Sequence, residues 1–135
     1  MGTDDLCYTV AVRSALLVAA GGMVGSLARY GLAGFVQRLS DGAFPVGTLA
    51  VNVLGSFALG LVMALSLERG ALDADARLLL GAGFCGGFTT MSTFAYETMA
   101  LTRQGDVGFA VCNLMLTLAA CLGAVFLGQI IGRGA

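Results

Sequence analysis

A few polar side chains stand inside the long apolar runs of this chain, and their spacing groups them. Asn113, Thr117 and Cys121 recur at i, i+4 and i+8, so they share one face of a helix. Asn52 is the single amide of its run. Ser92 and Thr93 follow the sequence Gly86-Gly87-Phe88-Thr89-Thr90-Met91. Amides and hydroxyls offer neutral hydrogen-bond donors. Such donors either tie one helix to the next or replace the hydration water of a small anion lining its route. Spacing alone leaves both readings open. Two ionic side chains also stand in the runs. Arg29 suits either a headgroup contact or a water-filled mouth that attracts anions, and Glu97 is the one acid of its span. The chain has no His, and no nucleophile–base pair or phosphate-cradling loop is visible. Enzyme chemistry is therefore not expected, nor is a His relay or metal site, with no His and one acid inside a span.

The elements that must hold these groups are membrane spans. The chain has 135 residues, of which 58% are hydrophobic and 11% charged. Soluble domains carry about 25% charged residues, so a single all-α integral membrane domain covering residues 1–135 is expected. Net charge is −1, which gives no basic surface for nucleic acid. Apolar runs of spanning length fall at about residues 12–37, 46–67, 78–101 and 107–131. The run that follows the acidic start MGTDDLCYTVAVR is of full spanning length, so it is expected to be a retained span and not a cleaved signal peptide. The cysteines Cys7, Cys85, Cys112 and Cys121 form no C-x-x-C pair and are expected to pack as small hydrophobes.

Loops and caps fit this division. Pro45 suits the first turn of the second span, after a short loop carrying Arg38 and Asp41. Thr48 stands at the entry of that span. Gly21 and Gly25 give the first span a small-residue face for close helix packing. The third span is unlike the others. Its glycine pair disfavours helix, and the hydroxyls that follow compete for backbone partners. A helix broken at residues 86–90 is expected. Broken backbone at membrane depth is tolerated where it is buried in protein or lines a cavity. A Gly/Ser/Thr packing face is the plainer alternative.

An even number of spans puts both termini on one side. Arg13, Arg69, Arg77 and Arg133 then fall on that side, and Arg29, Arg38 and Arg103 on the other. Lys/Arg bias sets orientation, and a split of four to three barely decides it. Insertion in both orientations, with two copies pairing antiparallel, is the expectation. Four short spans are also too few to enclose a site alone. A small dual-topology multidrug exporter would share these features, but such exporters depend on an acid inside the first span, and none stands there.

The runs GGMVGSLARY (Gly21–Tyr30), PVGTLAVNVLGSF (Pro45–Phe57) and GAGFCGGFTTMSTF (Gly81–Phe94) resemble the Fluc family of fluoride channels, also called CrcB. The resemblance covers nearly the whole chain. It implies a dual-topology antiparallel homodimer in the bacterial inner membrane, with two fluoride pores. It also implies a structural Na⁺ at the dimer centre, held by the backbone carbonyls of Gly86 and Thr89 from each subunit. The family's polar track would fall on Asn52, Ser92, Thr93, Asn113 and Thr117, and its vestibule arginine on Arg29. Its pair of pore-facing phenylalanines falls on Met91 and Phe94, so the first position departs from the family. Asn113 stands where tyrosine is frequent and Cys121 where serine is common, and Glu97 matches a family acid. Passive export of fluoride is the implied activity. Hydrogen fluoride enters as a neutral acid, ionises inside, and the trapped anion leaves down its gradient.

Overall fold

Each apolar run is helical, and the helices outrun the apolar stretches that announce them. The computed structural model describes residues 3–40 and 42–134, with side chains from residue 8 onward. Asp41 and the side chain of Cys7 lie outside the described residues. Helix α1 is Thr3–Arg38. Helix α2 is Val46–Met63, extended by wide π-type turns over Ala64–Glu68. Helix α3 spans residues 74–88: a first turn Ala74–Arg77, wide turns Leu78–Cys85, and a last turn Gly86–Phe88. Helix α4 is Met91–Arg103 and α5 is Val107–Gly134. Four segments are long and apolar enough to cross a membrane: Tyr8–Arg38, Val46–Glu68, Ala74–Arg103 and Val107–Gly134. The third contains both α3 and α4.

Two glycine seams hold the bundle together. Gly21 and Gly25 of α1 lie so close to α3 that a Cβ on either would run into its backbone near Leu79 and Phe84. Gly87 answers from α3, where a Cβ would come within 2.5 Å of the Gly22 carbonyl. On the other side, Gly60 of α2 abuts Val125, and Gly128 of α5 abuts Phe57. Small residues let helices approach closely in lipid, where packing replaces the hydrophobic effect as the driving force. At the start of α2, Pro45 offers no side-chain cap. Gln37 supplies one: its Oε1 accepts the Gly47 N–H at 3.1 Å, while its Nε2 donates to the Phe44 carbonyl at 3.2 Å.

Ion pairs tie the ends together on the terminal side. Arg13 of α1 pairs with Asp75 at the start of α3, and Arg133 of α5 pairs with Glu68 at the end of α2. This agrees with placing Arg13, Arg77, Arg69 and Arg133 on one side. Arg29 does not sit at the opposite surface. Its Nε donates to the Gly87 carbonyl at 3.0 Å, halfway along the third span. At 1.5 Å rise per residue, that is about 14 Å short of the end of α1. Arg38 and Arg103 are then left at the far ends, so the arginine balance is less even than the sequence count.

The break in the third span is real but narrower than expected. Gly86 and Gly87 are helical, and only Thr89 and Thr90 are extended, with ψ of 158° and 112°. Gly87 serves close packing against α1 instead. The helix stops because other groups take over its backbone bonds, as the site geometry shows.

Candidate functional site

Thr90 is the pivot of the break. Its N–H donates to Asn52 Oδ1 at 2.7 Å, and its carbonyl accepts from Asn52 Nδ2 at 3.1 Å. The Asn52 side chain thus stands in for a strand of backbone. Thr90 also opens the next helix: its Oγ1 accepts the Thr93 N–H at 3.3 Å and donates to Thr93 Oγ1 at 3.0 Å. Hydroxyl N-caps of this kind stabilise a helix start by about 1 kcal/mol. Upstream, Thr89 folds back, and both its N–H and its hydroxyl donate to the Cys85 carbonyl, at 3.0 and 2.9 Å.

Two cavities flank this pivot. One, of about 380 Å³, is lined by Arg29, Thr48, Thr90, Thr93 and Glu97 among others. The second, of about 310 Å³, is lined by Asn52, Gly86, Thr89, Met91, Phe94 and Thr117, together with Cys85 and Cys121. Thr90 borders both. The structure therefore divides the expected residues. Asn52, Met91, Phe94 and Thr117 gather around the second cavity, and Arg29 and Thr93 around the first. Ser92 and Asn113 line neither of these cavities. Ser92 is exposed, and its Oγ lies 3.4 Å from Thr90 Oγ1. Asn113 is buried against α4, where its Nδ2 donates to Thr98 Oγ1 at 2.8 Å and its Oδ1 accepts from Thr117 Oγ1 at 3.4 Å.

The electrostatics of the two cavities differ. The first holds one positive and one negative side chain. Arg29 spends one N–H on Gly87 and keeps the rest of its five donors. Glu97 accepts from Thr48 Oγ1 at 2.9 Å through Oε1, while its buried Oε2 has no hydrogen-bond partner among the described residues. The second cavity is lined by no charged side chain. Its polar groups are neutral: the second Asn52 N–H, the hydroxyls of Ser56, Thr89, Thr90 and Thr117, and backbone. Phe94 is buried beside it, whereas Met91 is 70% exposed.

The same cavity suits a hard cation held by main-chain oxygen. In an unbroken helix the Thr90 N–H would bond the Gly86 carbonyl; here it goes to Asn52, which releases that carbonyl from the ladder. Gly86 and Thr89 both line the cavity, and a Cβ on Gly86 would meet nothing within 4 Å. Freed carbonyls at a helix break are suitable Na⁺ ligands. Among the described residues no cluster of three His, Cys, Asp or Glu side chains could hold a metal instead.

The Thr48–Glu97, Asn113–Thr98 and Asn52–Thr90 partnerships are what sequence reasoning missed. Each member was visible as a polar residue in an apolar run, but the partner was not.

Comparison with known proteins bears on what the cavities do. The family described as CrcB-like protein, Camphor Resistance (CrcB), matches residues 16–129. A Thermus thermophilus protein named fluoride-specific ion channel FluC is 51% identical over 117 residues, covering 87% of this chain and 93% of the relative. A Geobacter sulfurreducens protein of the same name is 46% identical over 118 residues, covering 87% and 95%. A third, from Koribacter versatilis, is 43% identical over 116 residues, covering 86% and 92%.

Proposed function

This chain belongs to the CrcB family, and on that premise we propose that it is a fluoride-selective passive channel of the bacterial plasma membrane. The observation that carries the mechanism is the uncharged, donor-lined cavity beside Thr90. Fluoride is small and holds its water tightly, so a route for it must return the hydrogen bonds it strips. Asn52 supplies a neutral donor at the cavity wall, where Thr117 also stands with its hydroxyl turned to Asn113, and the buried Phe94 can turn its positive ring edge to the anion. No cationic side chain lines this wall, which keeps binding weak enough for release. Arg29 acts one step outside, in the charged cavity, where it raises the local anion concentration. Thr93 borders that outer cavity, and Ser92 lies on the exposed face beyond it. Asn113 acts indirectly: it ties α5 to α4 through Thr98 and accepts the Thr117 hydroxyl within α5.

The working unit is an antiparallel homodimer with two pores. Several groups of the route lie on the surface of a single chain: Met91, Ser92 and the open face of Gly86 are exposed. Gly86 also lies near the middle of its span. A two-fold axis in the membrane plane brings a residue against its own copy only at mid-depth, so that position suits antiparallel pairing. The Gly86 and Thr89 carbonyls of both subunits would hold a structural Na⁺ there. Its charge would fix carbonyl dipoles that otherwise repel across the axis.

The multidrug-exporter alternative gains nothing from the structure, since the membrane acid is Glu97 of α4 and it bonds Thr48. Fluoride efflux from liposomes holding the purified protein, with chloride as control, tests the channel assignment.

A further inference from the structure

The cavity beside the break carries sulfur for which anion conduction has no evident use. Cys85, from the wide turns of α3, and Cys121, from α5, line the same space of about 310 Å³ as Met91 at the start of α4. Three helices thus bring two thiols and a thioether to one cavity. Both thiols are free, and the remaining described cysteine, Cys112, is exposed elsewhere on α5. Neither carboxylate nor imidazole lines this space. Hard divalent ions would find no suitable side-chain set in it, and two thiols fall short of the three or four Cys, His or carboxylate ligands that zinc takes, whereas two thiols with a thioether suit a soft d¹⁰ monovalent ion.

We propose that this cavity is a binding site for a soft monovalent cation, held by Cys85, Cys121 and Met91, and that its occupation blocks the anion route. On binding, one thiol forms a sulfur–metal bond and gives its proton to water. The thiolate then cancels the charge of the cation, while the second thiol and the thioether remain neutral donors. Neutrality matters here because uncompensated charge at membrane depth is costly. The blocking half rests on this cavity being the fluoride route; the binding half does not.

Silver nitrate in chloride-free buffer is the probe. The full chain carrying Cys7→Ala and Cys112→Ala should retain one silver ion per chain by native mass spectrometry, and silver should bring its fluoride efflux down to that of empty liposomes. Adding Cys85→Ala and Cys121→Ala should abolish both effects, with efflux normalised to each protein's own silver-free rate. Met91→Leu, which keeps bulk but removes sulfur, should weaken retention with both thiols in place. No silver on the Cys7/Cys112 variant, or silver undiminished after the cavity thiols are removed, would overturn the site. Silver bound without loss of efflux would overturn the block, and with it the assignment of this cavity to the fluoride route.

Discussion

Asn52 and Thr90 exchange two hydrogen bonds across the break in the third span, at 2.7 and 3.1 Å. One side chain therefore satisfies the N–H and carbonyl of Thr90, and still has one N–H for the cavity. Asn52 is helix glue, and that role leaves an N–H for the anion-donor role proposed for it, so the two readings left open by the sequence are compatible.

Substitution at Asn52 should accordingly affect both stability and transport. Asn52→Ala leaves the buried Thr90 N–H and carbonyl unpaired, at a cost of about 1–3 kcal/mol for each group. Its efflux should collapse and its thermal stability in detergent should fall with it. Asn52→Asp keeps an acceptor for the Thr90 N–H but sets a carboxylate against the Thr90 carbonyl and repels fluoride. Its efflux should collapse too. Normal efflux in Asn52→Ala would show that the amide does not serve the route.

The sequence carried much of this fold, because the apolar runs are long and well separated. The i, i+4 spacing of Asn113 and Thr117 did mark a shared face, and the two side chains are hydrogen-bonded. The break was legible as a region but not as a residue. Glycine propensity pointed to Gly86-Gly87, whereas the helix stops at Thr89-Thr90 because Asn52, 38 residues away, takes the backbone groups. Arg29 was read from its place near the end of an apolar run, and its partner Gly87 is 58 positions on. Periodicity reports which side chains share a face of one helix. It does not report which groups meet across two.

Gly86 and Gly87 should separate assembly from folding. A Cβ on Gly87 would press on Gly22 of the same chain, so Gly87→Leu should disrupt the fold. A Cβ on Gly86 meets nothing in the chain, so Gly86→Leu should leave each chain helical yet prevent pairing. Circular dichroism and size-exclusion chromatography with light scattering distinguish the two. A Gly86→Leu protein that still pairs would remove this face from the interface.

Met91 tests the departure from the paired phenylalanines. Because it is 70% exposed on the single chain, Met91→Ala opens no void in the chain's own core. Any loss must come through the route or the partner. Met91→Phe should retain fluoride selectivity, and Met91→Ala should conduct less than either. Equal efflux in all three, at equal protein density, would mean that position 91 does not line the route.

Orientation follows from the antiparallel dimer. A single cysteine introduced at the C-terminus, in a chain stripped of its own cysteines, should react with an impermeant reagent from both sides of the membrane. With Arg29 held at the break, the arginine count alone leans toward one orientation. Reaction from one side only would exclude the antiparallel pair.

Fluoride efflux from liposomes containing the purified wild-type chain tests the central claim most directly. Vesicles loaded with potassium fluoride, and a parallel set loaded with potassium chloride, are diluted into impermeant anion, and valinomycin is added to carry the balancing charge. Prompt release of fluoride with chloride retained is the predicted result. Fluoride release no faster than from protein-free vesicles, or chloride release at the same rate as fluoride, would contradict it.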